Sequence, residues 1–550
     1  MLDKNEQEVI FRNVAKFLTQ NDLTSLALVN RWFNAKIAIP GLYKNIIICR
    51  DPVLRSGEWF LDCGTSYIAG FRAVSKTFDQ NDIFVYDRVR RLTGSSHLDK
   101  IRTLVIESDT FHDMENGRIV LQELLDAVIE TGVIEHLYIR DPVLFEANYC
   151  QLFSLSRLQH LEITNMKDLA RISDASIKTV KSLQLTLREP SFESGAVPPE
   201  VTRAFFPKIE KLTIQDNEYS SLRVLQYFDS EGITFCNLKA LKFNHVHGLH
   251  DYNKTLRELT SSYIIKTIPL ENIQRLEIEV SCCIKGCECF DNFLVELASE
   301  PLNLRELSFI EKRFGAITHL EAENWDLAVC KFLLSLPSIS VNLKALSIRH
   351  SAPADGIIED AVEGNYLRRR TLYAEVLPHL RALTTLIAPT ILHTLSAYET
   401  LVCDLLWNGC ECHFCADVLG VFDRYLMNHQ YYSRSAGTYK DITPSIFFAF
   451  ASDALSRRCS PASGWDLDVL TQAPFGHLWD MHGYQNIAHF PDFDCLYDVS
   501  TFGYLAVCIT HFLNQYMDDI TGCLPSLRSC YLTGIYYTCN KSTKYKSIYE

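Results

Sequence analysis

The densest group of potential metal ligands lies in the last third of the chain. Cys410, Cys412 and Cys415 occur within six residues, and His429 follows fourteen residues after the last of them. Zinc binds four thiolate or imidazole ligands in a tetrahedron, with metal–sulfur distances of about 2.3 Å. The C-x-C-x2-C spacing differs from the paired C-x2-C pattern of most zinc fingers. Two interpretations therefore stay open: a zinc site on Cys410, Cys412, Cys415 and His429, or reduced thiols packed beside neighbouring aromatic rings.

A second cysteine cluster occurs near the middle of the chain, at Cys282, Cys283, Cys287 and Cys289. Its tight spacing directly after a predicted strand is compatible with a metal site or with thiols at the end of a strand. The chain has nineteen cysteines in all, an odd number, and they are scattered along its length. Because the N-terminus shows no secretory signal, we expect reduced thiols and a cytoplasmic or nuclear protein.

The motifs of the common enzyme classes are missing from the sequence. It contains no GxxxxGK[ST], GxGxxG, HExxH or GxSxG pattern. We therefore expect a protein that is not an enzyme, with an enzyme housed in the C-terminal third as the alternative. Arg368, Arg369 and Arg370 form a basic run that fits a solvated loop or a contact for an acidic segment.

The overall charge argues against two classes of partner. The formal net charge is -14, whereas nucleic acids and anionic membranes are bound by Lys and Arg. No apolar run approaches the roughly 20 residues that a membrane-spanning helix needs. Apolar residues make up 47% of the chain, which is ample material for a core. We expect a protein partner, with no nucleic acid and no membrane.

Most of the chain repeats one frame, apolar-x-x-Leu-x-apolar. Residues two apart in a strand face the same side, so the Leu and the next apolar residue point into one core. The intervals between successive central Leu residues range from 22 to 39, enough for a strand, a turn and a helix. The nine copies are Ile101/Leu104/Ile106, Ile134/Leu137/Ile139, Leu158/Leu161/Ile163, Val180/Leu183/Leu185, Ile209/Leu212/Ile214, Leu238/Leu241/Phe243, Ile273/Leu276/Ile278, Leu304/Leu307/Phe309 and Leu343/Leu346/Ile348.

Such units bury their apolar face only by stacking on one another, which predicts a solenoid with parallel strands on its concave side. The alternative is a set of ordinary strands in unrelated α/β domains. Weaker copies of the frame occur at Leu380/Leu383 and at Leu527/Cys530/Leu532. The frame resembles the leucine-rich repeat, and residues 209–217, IEKLTIQDN, match its LxxLxLxxN form. The uneven spacing departs from that family and predicts an irregular array.

The N-terminal segment predicts a small group of helices. Ile10, Val14, Phe17 and Leu18 share one face of the first predicted helix. Asp22 is a candidate N-cap for a second helix. That helix is expected to turn Leu23, Leu26, Val29 and Phe33 inward. Helices spanning about 40 residues bury little surface by themselves, so we expect them to complete their core against a partner.

This segment resembles the F-box. The matching positions are Asp22-Leu23, Leu26-Ala27-Leu28-Val29, Trp32-Phe33 and Pro40-x-Leu42-Tyr43. The family usually has Trp at the positions of Phe33 and Tyr43, and its opening Leu-Pro falls here on Glu6 and Gln7. The resemblance implies that Leu18, Leu23, Leu26, Val29, Pro40 and Leu42 contact the Skp adaptor. It further implies a substrate-recognition subunit of a Skp–cullin–F-box ubiquitin ligase, with the repeats holding an unknown protein substrate.

The expected fold class is therefore α/β: a helical F-box followed by an irregular leucine-rich-repeat solenoid. We place the F-box at residues 6–48, a linker and N-terminal cap at 49–97, the repeats at 98–390 and a Cys- and aromatic-rich region at 391–550. The alternative function is a protein-binding scaffold built on the same solenoid without a ligase partner. The small helical group would then only shield the first repeat.

Overall fold

The computed structural model describes most of the predicted array and two segments beyond it. The described residues are 4–49, 63–69, 78–108, 110–111, 114–186, 195–215, 221–247, 262–282, 288–311, 319–336, 339–349, 375–387, 410–417, 510–511, 513–514, 516–532, 535–540 and 544–547. The chain divides into two compact units, one comprising Met1–Gln184 and Gly195–Ile209, the other Leu185–Ser194 and Glu210–Glu550. Among the described residues, no helix combines the length and apolarity required to span a bilayer.

The first unit starts with a group of short helices and continues as alternating strands and helices. The helices are α1 (Lys4–Ala15), α2 (Gln20–Val29), α3 (Arg31–Phe33), a π-helical turn (Asn34–Ala38), α4 (Ile39–Leu42), α5 (Phe78–Thr93), α6 (Met114–Glu130), α7 (Pro142–Leu152), α8 (Asp174–Thr179) and α9 (Pro199–Phe205). Short 3-10 turns occupy Leu98–Lys100, Met166–Arg171 and Phe206–Lys208. The strands are β1 (Asn45–Cys49), β2 (Ser66–Ala69), β3 (Thr103–Ile106), β4 (His136–Ile139), β5 (His160–Ile163) and β6 (Ser182–Thr186).

The first four strands form a parallel sheet in the order β2-β1-β3-β4. Leu104 pairs with Ile46 on one side and Leu137 on the other, so the central Leu positions of the frame are in register. The alternate positions Ile47 and Val105 are buried as well. Both faces of this sheet are therefore apolar, as in parallel sheets that are covered on both sides.

The second unit continues the alternation. Its helices are α10 (Ser221–Ser230), α11 (Ser262–Thr267), α12 (Cys289–Ala298), α13 (His319–Ser335) and α14 (Ile339–Asn342), with 3-10 turns at Leu270–Asn272 and Leu377–His379. Its strands are β7 (Lys211–Gln215), β8 (Ala240–His247), β9 (Arg275–Cys282), β10 (Glu306–Glu311), β11 (Ala345–Arg349), β12 (Thr385–Ile387), β13 (Ser529–Leu532), β14 (Ile535–Asn540) and β15 (Lys544–Ser547).

In the second unit, strands that follow one another along the chain are neighbours in the sheet. The strands from β7 to β13 pair in parallel, and β14 and β15 close this edge as antiparallel strands. One row across the sheet joins Leu212, Leu241, Leu276, Leu307, Leu346, Leu386 and Cys530. The predicted weak copy at Leu380/Leu383 was wrong by three residues. The central Leu of this copy is Leu386 and not Leu383, because Leu386 pairs with Leu346.

The same backbone hydrogen-bond pattern recurs at the start of successive strands of this sheet. The carbonyl of Glu210 accepts the N–H groups of Lys239 and Ala240, and the carbonyl of Lys239 accepts those of Gln274 and Arg275. The same paired contact continues through Arg305, Lys344 and Thr384 to Arg528. Because the contact involves only backbone atoms, it fixes the register whatever side chain occupies the position.

Aromatic side chains join the helices to the strands. Phe293 of α12 meets Phe243 of β8 edge to face at 5.8 Å between ring centroids. Phe309 of β10 contacts Phe290 of α12 at 6.1 Å and Phe332 of α13 at 5.9 Å. The last apolar residue of the frame thus packs against the covering helices. This confirms the predicted mixed α/β class with parallel strands; the domain boundaries at residues 48, 97 and 390 stay predictions.

Replacing Leu276 tests the central row of the frame. Leu276 is buried between Leu241 and Leu307, so Leu276→Ala is expected to lower the free energy of unfolding by about 2–5 kcal/mol. The control is Val295→Ala on α12, whose side chain is 58% exposed and where a change within about 0.5 kcal/mol is expected. Urea unfolding, followed by hydrogen exchange of the peptides from β8 to β10, measures both. Equal effects of the two changes would contradict this assignment.

Candidate functional site

The N-terminal helices, residues 4–42, are called the head below, and specific caps set their ends. Thr19 precedes α2 in an extended conformation, and its hydroxyl accepts the N–H of Asp22 at 3.2 Å. The carboxylate of Asp22 in turn accepts the N–H and the hydroxyl of Thr19, which holds the pKa of Asp22 below its usual value. The N-cap is therefore Thr19 and not Asp22 as predicted. Asp22 occupies the N3 position of a capping box. Asn30 caps α3 in the same way, accepting the N–H of Phe33.

The head has its own small core. Ala15, Leu23 and Ile37 are buried at its centre. The half-buried side chains around this centre are Leu18, Leu26, Trp32, Phe33 and Leu42. Phe11 adds edge-to-face contacts to Trp32 and Phe33.

The structure distributes the six predicted adaptor contacts over three environments. Leu23 is fully buried in the core of the head, so its side chain is internal. Leu18, Leu26, Pro40 and Leu42 are half-buried. Val29 is 63% exposed, which corrects the expectation that it faces inward.

The head also presents apolar side chains to solvent. Ile10 and Val14 are one helical turn apart on α1, and both are exposed. Phe17, in the turn after α1, is 77% exposed, and Leu28 on α2 is 84% exposed. Several large apolar side chains exposed on one small helical group are candidates for an interaction surface. These five residues, Ile10, Val14, Phe17, Leu28 and Val29, are called the exposed head residues below.

Hydrogen bonds fasten the head to the first sheet at one point. The side-chain amide of Gln20 accepts the N–H of Tyr67 at 3.0 Å and donates to the carbonyl of Tyr67 at 3.3 Å. Next to it, the N–H of Gly64 donates to the carbonyl of Leu18 at 2.8 Å. Gly64 has a φ of 64°, the left-handed region that favours glycine. The attachment holds α2 against the strand and leaves the side chains of the exposed head residues in solvent.

A second candidate site lies in the C-terminal part of the second unit. Cys410, Cys412 and Cys415 come together with His511, and their ligand atoms all lie within 4.8 Å of one another. The sequence suggests His429 as the fourth ligand, but His429 lies outside the described residues. Of the second predicted cluster, Cys282 ends β9 and Cys289 begins α12, whereas Cys283 and Cys287 lie outside the described residues. His511 was missed because no local spacing connects it to the cysteines.

The thiols of this cluster are close enough to affect one another. The N–H of Cys415 donates to Cys412 Sγ at 3.5 Å, and this bond is the largest cause of a pKa for Cys412 lowered to about 6. Contacts to Cys410, Cys415 and His511 add to the effect. A lowered pKa favours the thiolate, the form in which cysteine binds metal.

Comparison with known proteins gives one extensive match. The chain is 43% identical over 546 residues to the non-SCF-type F-box protein ROY1 of Saccharomyces cerevisiae, covering 98% of each chain. No protein-family model matches the chain. The match includes the head and the strand array.

The head offers a test that separates its core from its surface. Leu23→Ala is expected to destabilise the head by about 2–5 kcal/mol, because Leu23 is fully buried. Val29→Ala is expected to change its stability by no more than about 0.5 kcal/mol, because Val29 is mostly exposed. Hydrogen exchange of residues 4–42 in the intact chain measures local opening. Greater loss of protection in Val29→Ala than in Leu23→Ala would overturn the placement.

Proposed function

This chain belongs to the F-box proteins, and on that basis we propose that it is a non-catalytic subunit that joins two other proteins. Its head would dock on the Skp adaptor, and its strand array would hold a client protein. The proposal includes a cytoplasmic or nuclear location. Such a subunit works by position, because it raises the effective concentration of one partner near the other.

The exposed head residues carry the adaptor part of the proposal. The head keeps Leu23 for its own core, yet Phe17 and Leu28 remain more than three-quarters exposed. An apolar groove on a partner would bury these side chains at about 25 cal/mol per Å² of apolar surface removed from water. Amphipathic helices that dock in grooves use such an arrangement.

The regular pairing of the strands supports the client part. Parallel strands in chain order, joined by helices and held in one register, fit an irregular leucine-rich-repeat solenoid. Beside the row of leucines, the next row across these strands consists of polar side chains. Its members are Thr213, Lys242, Glu277, Ser308 and Ser347. Lys242 and Glu277 form an ion pair within this row. Thr213, Glu277, Ser308 and Ser347 are nevertheless buried, so the client part of the proposal is supported by the regular strand pairing and not by an exposed polar row.

We further propose that the chain acts outside a cullin ligase. The similar yeast protein is named non-SCF-type. At the start of α1, Glu6 and Gln7 occupy the positions where the F-box family usually has Leu-Pro. The alternative is the substrate-recognition subunit of a Skp–cullin–F-box ligase, in which the same head would bind the adaptor and the cullin would join the complex.

Adaptor binding is tested by placing charge on the exposed head residues. Val14→Asp combined with Val29→Asp is expected to weaken binding to purified Skp adaptor at least tenfold, because an unpaired carboxylate would be buried in an apolar interface. Isothermal titration calorimetry on the intact chain measures the affinity. The matched control is Ile119→Asp on α6, which is 60% exposed outside the head and is expected to bind like the wild type. An unchanged affinity for the head variant would refute this interface.

The ligase question needs a separate measurement. A complex of the intact chain with the adaptor is expected not to retain a purified cullin in size-exclusion chromatography. A known F-box substrate receptor carrying the same adaptor serves as the positive control. Stable retention of the cullin by this chain, together with ubiquitin transfer, would instead establish the substrate-receptor role. Failure to bind the adaptor at all would refute both versions.

A further inference from the structure

We propose that Cys410, Cys412, Cys415 and His511 bind a structural zinc ion that clips together two distant segments of the second unit. The inference rests on the geometry of these four side chains and is independent of adaptor binding. It replaces His429 by His511 in the ligand set that the sequence suggests.

The distances among the ligand atoms fit a tetrahedral zinc site. With zinc–sulfur bonds of about 2.3 Å and zinc–nitrogen bonds of about 2.0 Å, tetrahedral ligand atoms lie about 3.5–3.8 Å apart. His511 Nδ1 lies 3.2 Å from Cys415 Sγ and 3.6 Å from Cys412 Sγ. All four ligand atoms fall within 4.8 Å of one another. The ligand atoms would therefore have to shift by at most about 1 Å relative to one another to complete the tetrahedron.

The local backbone explains how three cysteines converge. Cys412 precedes the short helical stretch 413–417, and Cys415 lies one turn further on. A turn of helix places residues three apart on the same side, and the N–H of Cys415 points at Cys412 Sγ. Cys415 is fully buried, while Cys410, Cys412 and His511 are half-buried. The ion would thus be enclosed on one side and reachable from the other.

The ligand types select the metal class. Three thiolates and one imidazole favour zinc over magnesium or calcium, which prefer oxygen ligands. Four protein ligands leave no position for a reacting water, and this closed set is the one found in structural zinc sites. The cluster therefore gives no support to an enzyme in the C-terminal third.

The position of the cluster shows what the ion would stabilise. Strands β12 and β13 are neighbours in the sheet, although residues 388–528 separate them along the chain. His511 lies among the helical residues 510–511, 513–514 and 516–523, which precede β13. Tyr537 and Tyr545 donate hydrogen bonds to the carbonyls of Thr510 and Asn514 in this stretch. A metal bond between residues 410–415 and His511 would shorten the loop that must close before β13 pairs.

The first test measures metal in the purified intact chain. We expect about one equivalent of zinc per chain by mass spectrometry of the metal. Cys412→Ser, Cys415→Ser and His511→Ala should each retain less than about a tenth of it. Two controls should keep the full amount: His429→Ala, which removes the ligand suggested by sequence, and Cys523→Ser, a half-buried cysteine outside the cluster. Zinc that is retained in His511→Ala but lost in His429→Ala would overturn the assignment.

A second measurement does not depend on the folding of variants. X-ray absorption at the zinc edge of the wild-type chain should show three sulfur ligands and one nitrogen ligand, at about 2.3 and 2.0 Å. Removing the metal with a strong chelator should speed hydrogen exchange in residues 510–532, and added zinc should restore the original rate. A chain purified under reducing conditions that holds no zinc and does not take it up would refute the proposal. Coordination by oxygen ligands would refute it as well.

Discussion

In-register pairing of parallel strands is the constraint on which the rest of this structure depends. Each strand from β7 to β12 brings a buried Leu to one common row, and the carbonyl just before each strand accepts two N–H groups at the start of the next strand. The backbone contact works for any side chain, whereas the row requires an apolar one. Together they allow long and variable helices and loops between strands without disturbing the sheet. The uneven intervals of the frame are therefore compatible with a regular core.

The first sheet also positions the head. The first strand of the first sheet begins at Asn45, directly after the helical segment, and the head is fastened to β2 through Gln20 and Tyr67. The core of the head is filled by Leu23 and its neighbours, and the exposed apolar side chains are not part of it. The side chains that fill the core of the head are thus different from the apolar side chains that it presents to solvent.

The C-terminal end of the array must pair two strands that are far apart in the sequence. The last parallel pair, β12 with β13, joins strands separated by a long stretch of chain, so its pairing carries a larger entropic cost of loop closure than the earlier ones. Two antiparallel strands, a helical stretch and the cysteine–histidine cluster all lie near this last pair in sequence. The sheet edge is then closed by chain that does not follow the frame.

The sequence by itself determined the strands and much of the head. The frame is readable because strand periodicity places its buried Leu and final apolar residue two positions apart, a purely local relation. Tertiary structure decided the rest. Strand pairing selected Leu386 over Leu383, and the packing of the head left Val29 exposed. Only folding could bring His511 to Cys415, 96 residues away. Local spacing reports which residues share a face, but contacts across long loops depend on how the intervening chain folds.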